Sequence, residues 1–204
     1  AAYGGDCSAV QHQLLGNVQH IYSTKNAFAA VKSDGSVVVW GDREFGGDCS
    51  PVQSQLLGKV QRIYSTQHAF AALKSDGGVV VWGHKACGGD CSTVQDQLLG
   101  QVQHIYSARQ AFAAVRCDGR VVVWGESAYG GDCSSVQDQL LDQVQHIYST
   151  HNAFAAVKSN GRVVVWGDKE QWGDYDAVQS MLEQDSKSSM NEAVSLVNDS
   201  ISDL

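Results

Sequence analysis

Residues 1–168 are four copies of one unit, because Cys7, Cys49, Cys91 and Cys133 recur 42 residues apart and Trp40, Trp82, Trp124 and Trp166 keep the same spacing. A period of this length constrains the fold more than any single residue does. Each copy is one supersecondary element that cannot bury its apolar face alone and must stack on a neighbour, as in solenoids and propellers. The units run 1–42, 43–84, 85–126 and 127–168, followed by a partial fifth unit at 169–184 and a different kind of segment at 185–204.

Within the first unit, the turn Gly4-Gly5-Asp6-Cys7-Ser8 precedes a segment, Ala9 to Leu15, in which Val10 and Leu14 fall four apart. That spacing reads as one or two helical turns with Ser8 as cap and Gly16 as a left-handed stop; a short bulged strand is the competing reading. Val18 to Ser23 alternates, and Ala27 to Lys32 and Ser36 to Trp40 follow as further strands. Between the last two lies Asp34-Gly35, repeated as Asp76-Gly77, Asp118-Gly119 and Asn160-Gly161, which predicts a tight type I′ hairpin. With one proline among 204 residues and 21 glycines, turns are left to glycine. The expected architecture is mainly β: four antiparallel repeats forming a β-propeller-like ring or open arc, with an α-helical C-terminal tail. Small alanines beside Phe28, Phe70, Phe112 and Phe154 would let sheets approach closely, with the tryptophans covering the seam.

The order of residues resembles the regulator of chromosome condensation repeat family, whose units form blades of a β-propeller. The matching stretch is Val60-Gln61-Arg62-Ile63, then Ala69-Phe70-Ala71-Ala72-Leu73-Lys74-Ser75-Asp76-Gly77, then Val79-Val80-Val81-Trp82-Gly83, with Gly88-Gly89-Asp90 at the family's Gly-Gln-Leu-Gly turn. The resemblance covers residues 1 to about 174. The family's repeat carries a histidine where this chain has Ala27, Ala69, Ala111 and Ala153, its unit is longer, and its usual ring has seven blades rather than four. Guanine-nucleotide exchange, known for the founding member, is implied by the resemblance but no motif here carries it.

Net charge is −8, concentrated at the C-terminus: residues 169–204 hold Lys169 and Lys187 against eight acids. There is no basic stripe, which argues against nucleic acid as a partner. No run approaches the roughly 18 apolar residues of a membrane span, leaving a soluble or peripherally associated protein. The opening Ala1-Ala2 fits a processed, organellar form as well as a trimmed one, and an intracellular location is favoured over secretion. Four of the six cysteines share one column and read as small buried hydrophobes rather than a disulfide framework.

Candidate sites divide into chemistry and contact. His84, Cys87, Cys91 and Cys117 have the composition of a zinc site, but His84, Cys87 and Cys117 occupy columns that other copies fill with unrelated residues, so no metal and no cofactor is expected. His20, His104 and His146, with Arg62, share a strand column that could line a channel. A Cys–His nucleophile present in four near-copies does not make one activated site, and no catalytic residue is assigned. The columns that vary among copies are the candidate contact surface: Lys25, Asn26, Gln67, His68, Arg109, Gln110, His151 and Asn152 between two strands, and Arg43, Glu44, Phe45, Lys85 and Tyr129 after the tryptophans. In the tail, Met190, Val194, Val197, Ile201 and Leu204 lie on one apolar stripe of an acidic helix that could dock on a partner. Trp172 and Tyr175, standing for Gly46 and Cys49, give the fifth unit the look of a cap. The expected function is a non-enzymatic protein-interaction or scaffolding subunit of a larger assembly, with a small-ligand or glycan-binding propeller, one site per repeat, as the alternative.

Overall fold

A computed structural model describes residues 5–168. The fifth unit and the tail, including Met190, Val194, Val197, Ile201 and Leu204, lie outside the described residues. Twelve strands form among them: β1 (Val18–Ser23), β2 (Ala27–Lys32), β3 (Val37–Gly41), β4 (Val60–Ser65), β5 (Ala69–Lys74), β6 (Val79–Gly83), β7 (Val102–Ser107), β8 (Ala111–Arg116), β9 (Val121–Gly125), β10 (Val144–Ser149), β11 (Ala153–Lys158) and β12 (Val163–Gly167). They pair as four separate antiparallel three-stranded meanders, β1-β2-β3, β4-β5-β6, β7-β8-β9 and β10-β11-β12, one per repeat. The repeat periodicity and the strand alternation are thus realised directly as blades. Each first strand carries a register shift at the same place, between Val18 and His20 and their copies, so the exposed Gln19 column is the extra residue of a bulge.

Two local expectations are corrected. The Asp34-Gly35 turn is not type I′, because only Gly35 has positive φ (74°). The Gly35 amide donates to the Lys32 carbonyl at 2.9 Å and the Lys32 amide to the Ser36 carbonyl at 2.9 Å, which makes a three-residue loop ending in a left-handed glycine. Asp34 sits before that glycine to accept from the Ser36 amide at 2.9 Å. The connector is a 3-10 turn, Gln11–Gln13 in the first unit and Ser50–Leu56 in the second, so the strand alternative falls away. Ser8 does not cap it. Instead the aspartate two residues earlier accepts from the serine amide, Asp6 from Ser8 at 2.9 Å and Asp48 from Ser50 at 2.9 Å, an Asx turn that starts the connector.

The cores lie between blades rather than within them. Ala27, Ala29, Val31 and Val37 of the first blade meet Ile63, Phe70, Ala72, Val80 and Trp82 of the second, with Cys49 and Leu56 of the connector between them. The same columns build the second and third junctions. Alanine sets the spacing: Ala69, Ala71, Ala111 and Ala113 are fully buried, and their neighbours Phe70 and Phe112 stack on Trp82 and Trp124 at 5.2 Å. Each of these tryptophans also donates its Nε1–H to the glycine turn of the preceding connector, Trp82 to Gly46 and Trp124 to Gly88, both at 3.1 Å. Gly46 has φ 104°, and a Cβ there would lie 2.6 Å from the Phe70 ring, so glycine is required on both counts. The cysteines are free, and Cys49, Cys91 and Cys133 are buried, where desolvation raises their thiol pKa, that of Cys133 to about 11.

The four blades form an open arc. No backbone hydrogen bond joins the first and last sheets among the described residues. Ile21 is 59% exposed, whereas its copies Ile63, Ile105 and Ile147 are each 1% exposed.

Candidate functional site: the loop face

Both sets of variable loops fall on one edge of the blades. The loop after each first strand is tied to the turn after each third strand: the Asp42 amide donates to the Asn26 carbonyl at 2.9 Å and the His84 amide to the His68 carbonyl at 2.9 Å, with the equivalent bond from Glu126 to Gln110 at 3.0 Å. A threonine staples the same pair. Thr66 Oγ1 donates to the Cys87 carbonyl at 2.9 Å and accepts from the Ala69 amide at 3.0 Å, and Thr24 serves Phe45 and Ala27 in the same way. The third unit has Ala108 at this position.

Successive blades are laced at the loop tips. The Lys25 amide donates to the Gln67 carbonyl at 2.9 Å, Gln67 to Arg109 at 2.8 Å, and Arg109 to His151 at 2.9 Å. The side chains of these columns are free to vary because the backbone makes the bond. Their side chains then meet across blades: Arg109 Nε donates to Gln67 Oε1 at 3.0 Å, and its guanidinium lies 5.8 Å from the Tyr129 ring centroid. An open groove of about 590 Å³ runs along this edge, lined by Ser65, Gln67, Ser107, Arg109, Ser149 and His151 among others. It is shared by three blades. Beside it, Phe45 packs on His68 with ring centroids 4.5 Å apart, and Cys87 Sγ approaches His68 Nδ1 at 3.7 Å. Burial and then the neighbouring His84, Lys25 and Arg109 hold the His68 pKa below its ordinary value, so it is neutral at pH 7.

Of the residues singled out by sequence, Gln67, Arg109 and His151 are thus assembled into one groove and Phe45, His68 and Tyr129 lie in contacts at its margin. Lys25, Asn26, Gln110 and Asn152 sit at the same loop tips. Arg43 is turned away, its guanidinium on Asp48 at 2.7 Å, and Glu44 and Lys85 are exposed on the outer turns. What variation among copies could not reveal are Ser65, Ser107 and Ser149, which line the groove but never vary.

The channel-column residues also meet. Tyr106 Oη and His146 Nδ1 are 3.0 Å apart, and Tyr64 and His104 pair in the same way at 3.4 Å, so a tyrosine of one blade meets a histidine of the next. Burial, with Arg62 and His146 adding repulsion, lowers the His104 pKa and keeps it neutral. His84, Cys87, Cys91 and Cys117 do not converge: Cys117 is exposed in the β8–β9 turn while Cys87 and Cys91 are buried. Among the described residues no group of three or more His, Cys, Asp or Glu side chains gathers at metal-binding distance.

Blades of this topology, stacked through alanine, phenylalanine and tryptophan and linked by a glycine turn, define an RCC1-like repeat fold. Yeast RCC1 (Prp20), in a crystal structure bound to Kap60, matches with a TM-score of 0.50 and 16% identity over 74% of this chain and 44% of that one. Prp20p from Saccharomyces cerevisiae, in a second structure, matches at 0.48 and 18% identity over 78% and 47%, and human WBSCR16 at 0.46 and 19% over 76% and 48%. The chain spans about half the length of these proteins. No family model and no curated sequence matches it. Where the family carries histidine, Ala69 and Ala111 are fully buried and the Ala69 Cα lies 2.8 Å from where a Gly83 Cβ would stand. That tight approach of β5 to β6, with φ of 106° at Gly83, requires glycine at position 83. No helix among the described residues is long and apolar enough to cross a membrane.

Proposed function

We propose that the chain is a non-enzymatic protein-interaction module, a scaffolding subunit of a larger assembly, that meets its partner through the loop face. The observation that carries this reading is the division of labour at the loop tips. The backbone bonds from Lys25 through Gln67 and Arg109 to His151 fix the edge, while the side chains in those columns differ from blade to blade. A groove shared by three blades, in which Gln67, Arg109 and His151 differ beside three repeated serines, suits a non-repetitive partner better than four equal copies of a small ligand. The crystal structure of yeast RCC1 with Kap60 supports the reading as an example of this fold in a protein complex. By sequence, the stripe Met190, Val194, Val197, Ile201 and Leu204 is a second contact.

The test is a triple substitution, Gln67→Ala, Arg109→Ala and His151→Ala, against a control on the opposite edge, Lys59→Ala with Arg120→Ala. Cross-linking of each in source extract, read by mass spectrometry, should show the partner lost with the first and kept with the second. Equal recovery with both would refute the loop face as the contact.

A further inference from the structure

We propose that two copies of this chain stack head to tail, the first blade of each on the fourth blade of the other, closing one ring. The two ends of the arc are the two halves of the interface that already joins its blades. On the leading end, Ile21, Phe28 and Trp40 occupy the columns of Ile63, Phe70 and Trp82, yet Ile21 is 59% exposed and Phe28 and Trp40 are only half-buried. At the trailing end, Ala155, Val157 and Val165 occupy the columns of Ala113, Val115 and Val123, which are 0%, 3% and 8% exposed; here they are half-buried. What would cover each end is therefore written at the other end, residue for residue, and a second copy supplies it without new surface.

Polar groups agree with the apolar ones. At the loop tips each blade donates its amide to the next, but among the described residues the His151 amide has no acceptor and the Lys25 carbonyl no donor. Stacking one copy on another pairs these two. On the opposite edge, Val60, Val102 and Val144 donate to the turn glycines Gly35, Gly77 and Gly119 of the preceding blade at 3.1–3.2 Å. Val18 and Gly161 stand in these two columns, so the same junction pairs them as well.

The junction needs one connector, and the first unit brings it. Cys7 and Leu14, half-buried beside the first blade, are the copies of buried Cys49 and Leu56. Two arcs of four blades give eight, within the range of about 4–8 blades at which propellers close. Because the contact is heterologous, closure after two copies is what distinguishes this ring from an open filament.

The experiment is light scattering on the full-length chain after size exclusion across micromolar concentrations, with native mass spectrometry. The expected species has twice the 21.9 kDa chain mass. Ile21→Glu and Val165→Glu, each on an already accessible position, should keep the wild-type circular dichroism but weaken the dimer about 100-fold or more, by burying a charge. Mixing these two variants should restore a pair, since one retains a sound leading end and the other a sound trailing end. A single-chain mass at every concentration would overturn the proposal, and so would a ladder beyond two chains or a mixture that stays monomeric.

Discussion

Gly119 and Gly161 occupy the same hairpin position in the third and fourth blades, with φ of 75° and 79°, and differ in what stands opposite them. A Cβ on Gly119 would lie 2.7 Å from the Gln143 amide nitrogen of the next blade, whereas nothing among the described residues is within 4 Å of a Cβ on Gly161. Alanine at either position meets the left-handed backbone penalty, about 1–2 kcal/mol. Only Gly119→Ala must also push two blades apart; backbone cannot rotate away as a side chain can, which adds about 1–3 kcal/mol. The predicted losses are thus about 1–2 kcal/mol for Gly161→Ala and about 2–5 kcal/mol for Gly119→Ala. Urea unfolding followed by tryptophan fluorescence resolves this difference, because a slope of about 1–3 kcal/mol per molar converts it into a clearly separated midpoint. Measured at a concentration low enough that the chain is single, equal losses would mean that the turn does not touch the next blade, and the stacking geometry would be wrong.

The sequence carried the blades because their determinants are local and repeated four times. Strand alternation, the glycine after each aspartate and the fixed Phe-to-Trp spacing all act within one unit. The turn type was misread at Asp34 because Asp-Gly serves both a type I′ turn and a turn that ends in one left-handed glycine; the extra loop residue, Ser33, decides between them. Ser8 does not cap because the Val10 amide it would reach is taken by the Cys7 carbonyl at 3.0 Å, while Asp6 accepts from the amide of Ser8 itself. The junctions are not local. That Trp82 would donate to Gly46, 36 residues earlier, follows only from stacking. For the candidate site, variation among copies pointed to Gln67, Arg109 and His151, but the invariant serines beside them carry no such contrast and were missed.

Ala108 takes the place of the stapling threonine, so Ala108→Thr should raise stability by about 0.5–1.5 kcal/mol, measured by urea unfolding, through a hydroxyl bond to the turn at Tyr129. Leu98, 1% exposed in the connector, should cost about 2–5 kcal/mol as Leu98→Ala, whereas neighbouring Leu99, 69% exposed, should cost little as Leu99→Ala. Hydrogen bonds from Ser50 and then Arg43 hold the Asp48 pKa down at about 2. Its folded value lies below its unfolded one, so its stabilisation is present above about pH 4 and fades as pH falls toward 2. Asp48→Asn should flatten that part of the acid unfolding profile. The depressed His104 pKa has the same sign at higher pH: stability should fall as pH drops below about 6.5, and less steeply in His104→Gln, as read from thermal midpoints.

Amide hydrogen exchange at the loop tips decides whether the blades are joined as described. Lys25, Gln67 and Arg109 lie in loops at the edge of the molecule, where unpaired amides exchange at nearly free rates, yet each donates to the next blade. Protection factors of about 10³ or more at these three amides are expected, on the scale of the flanking strands. Exchange at unprotected rates beside protected strands would mean that the repeats fold as separate hairpins and do not form the laced arc.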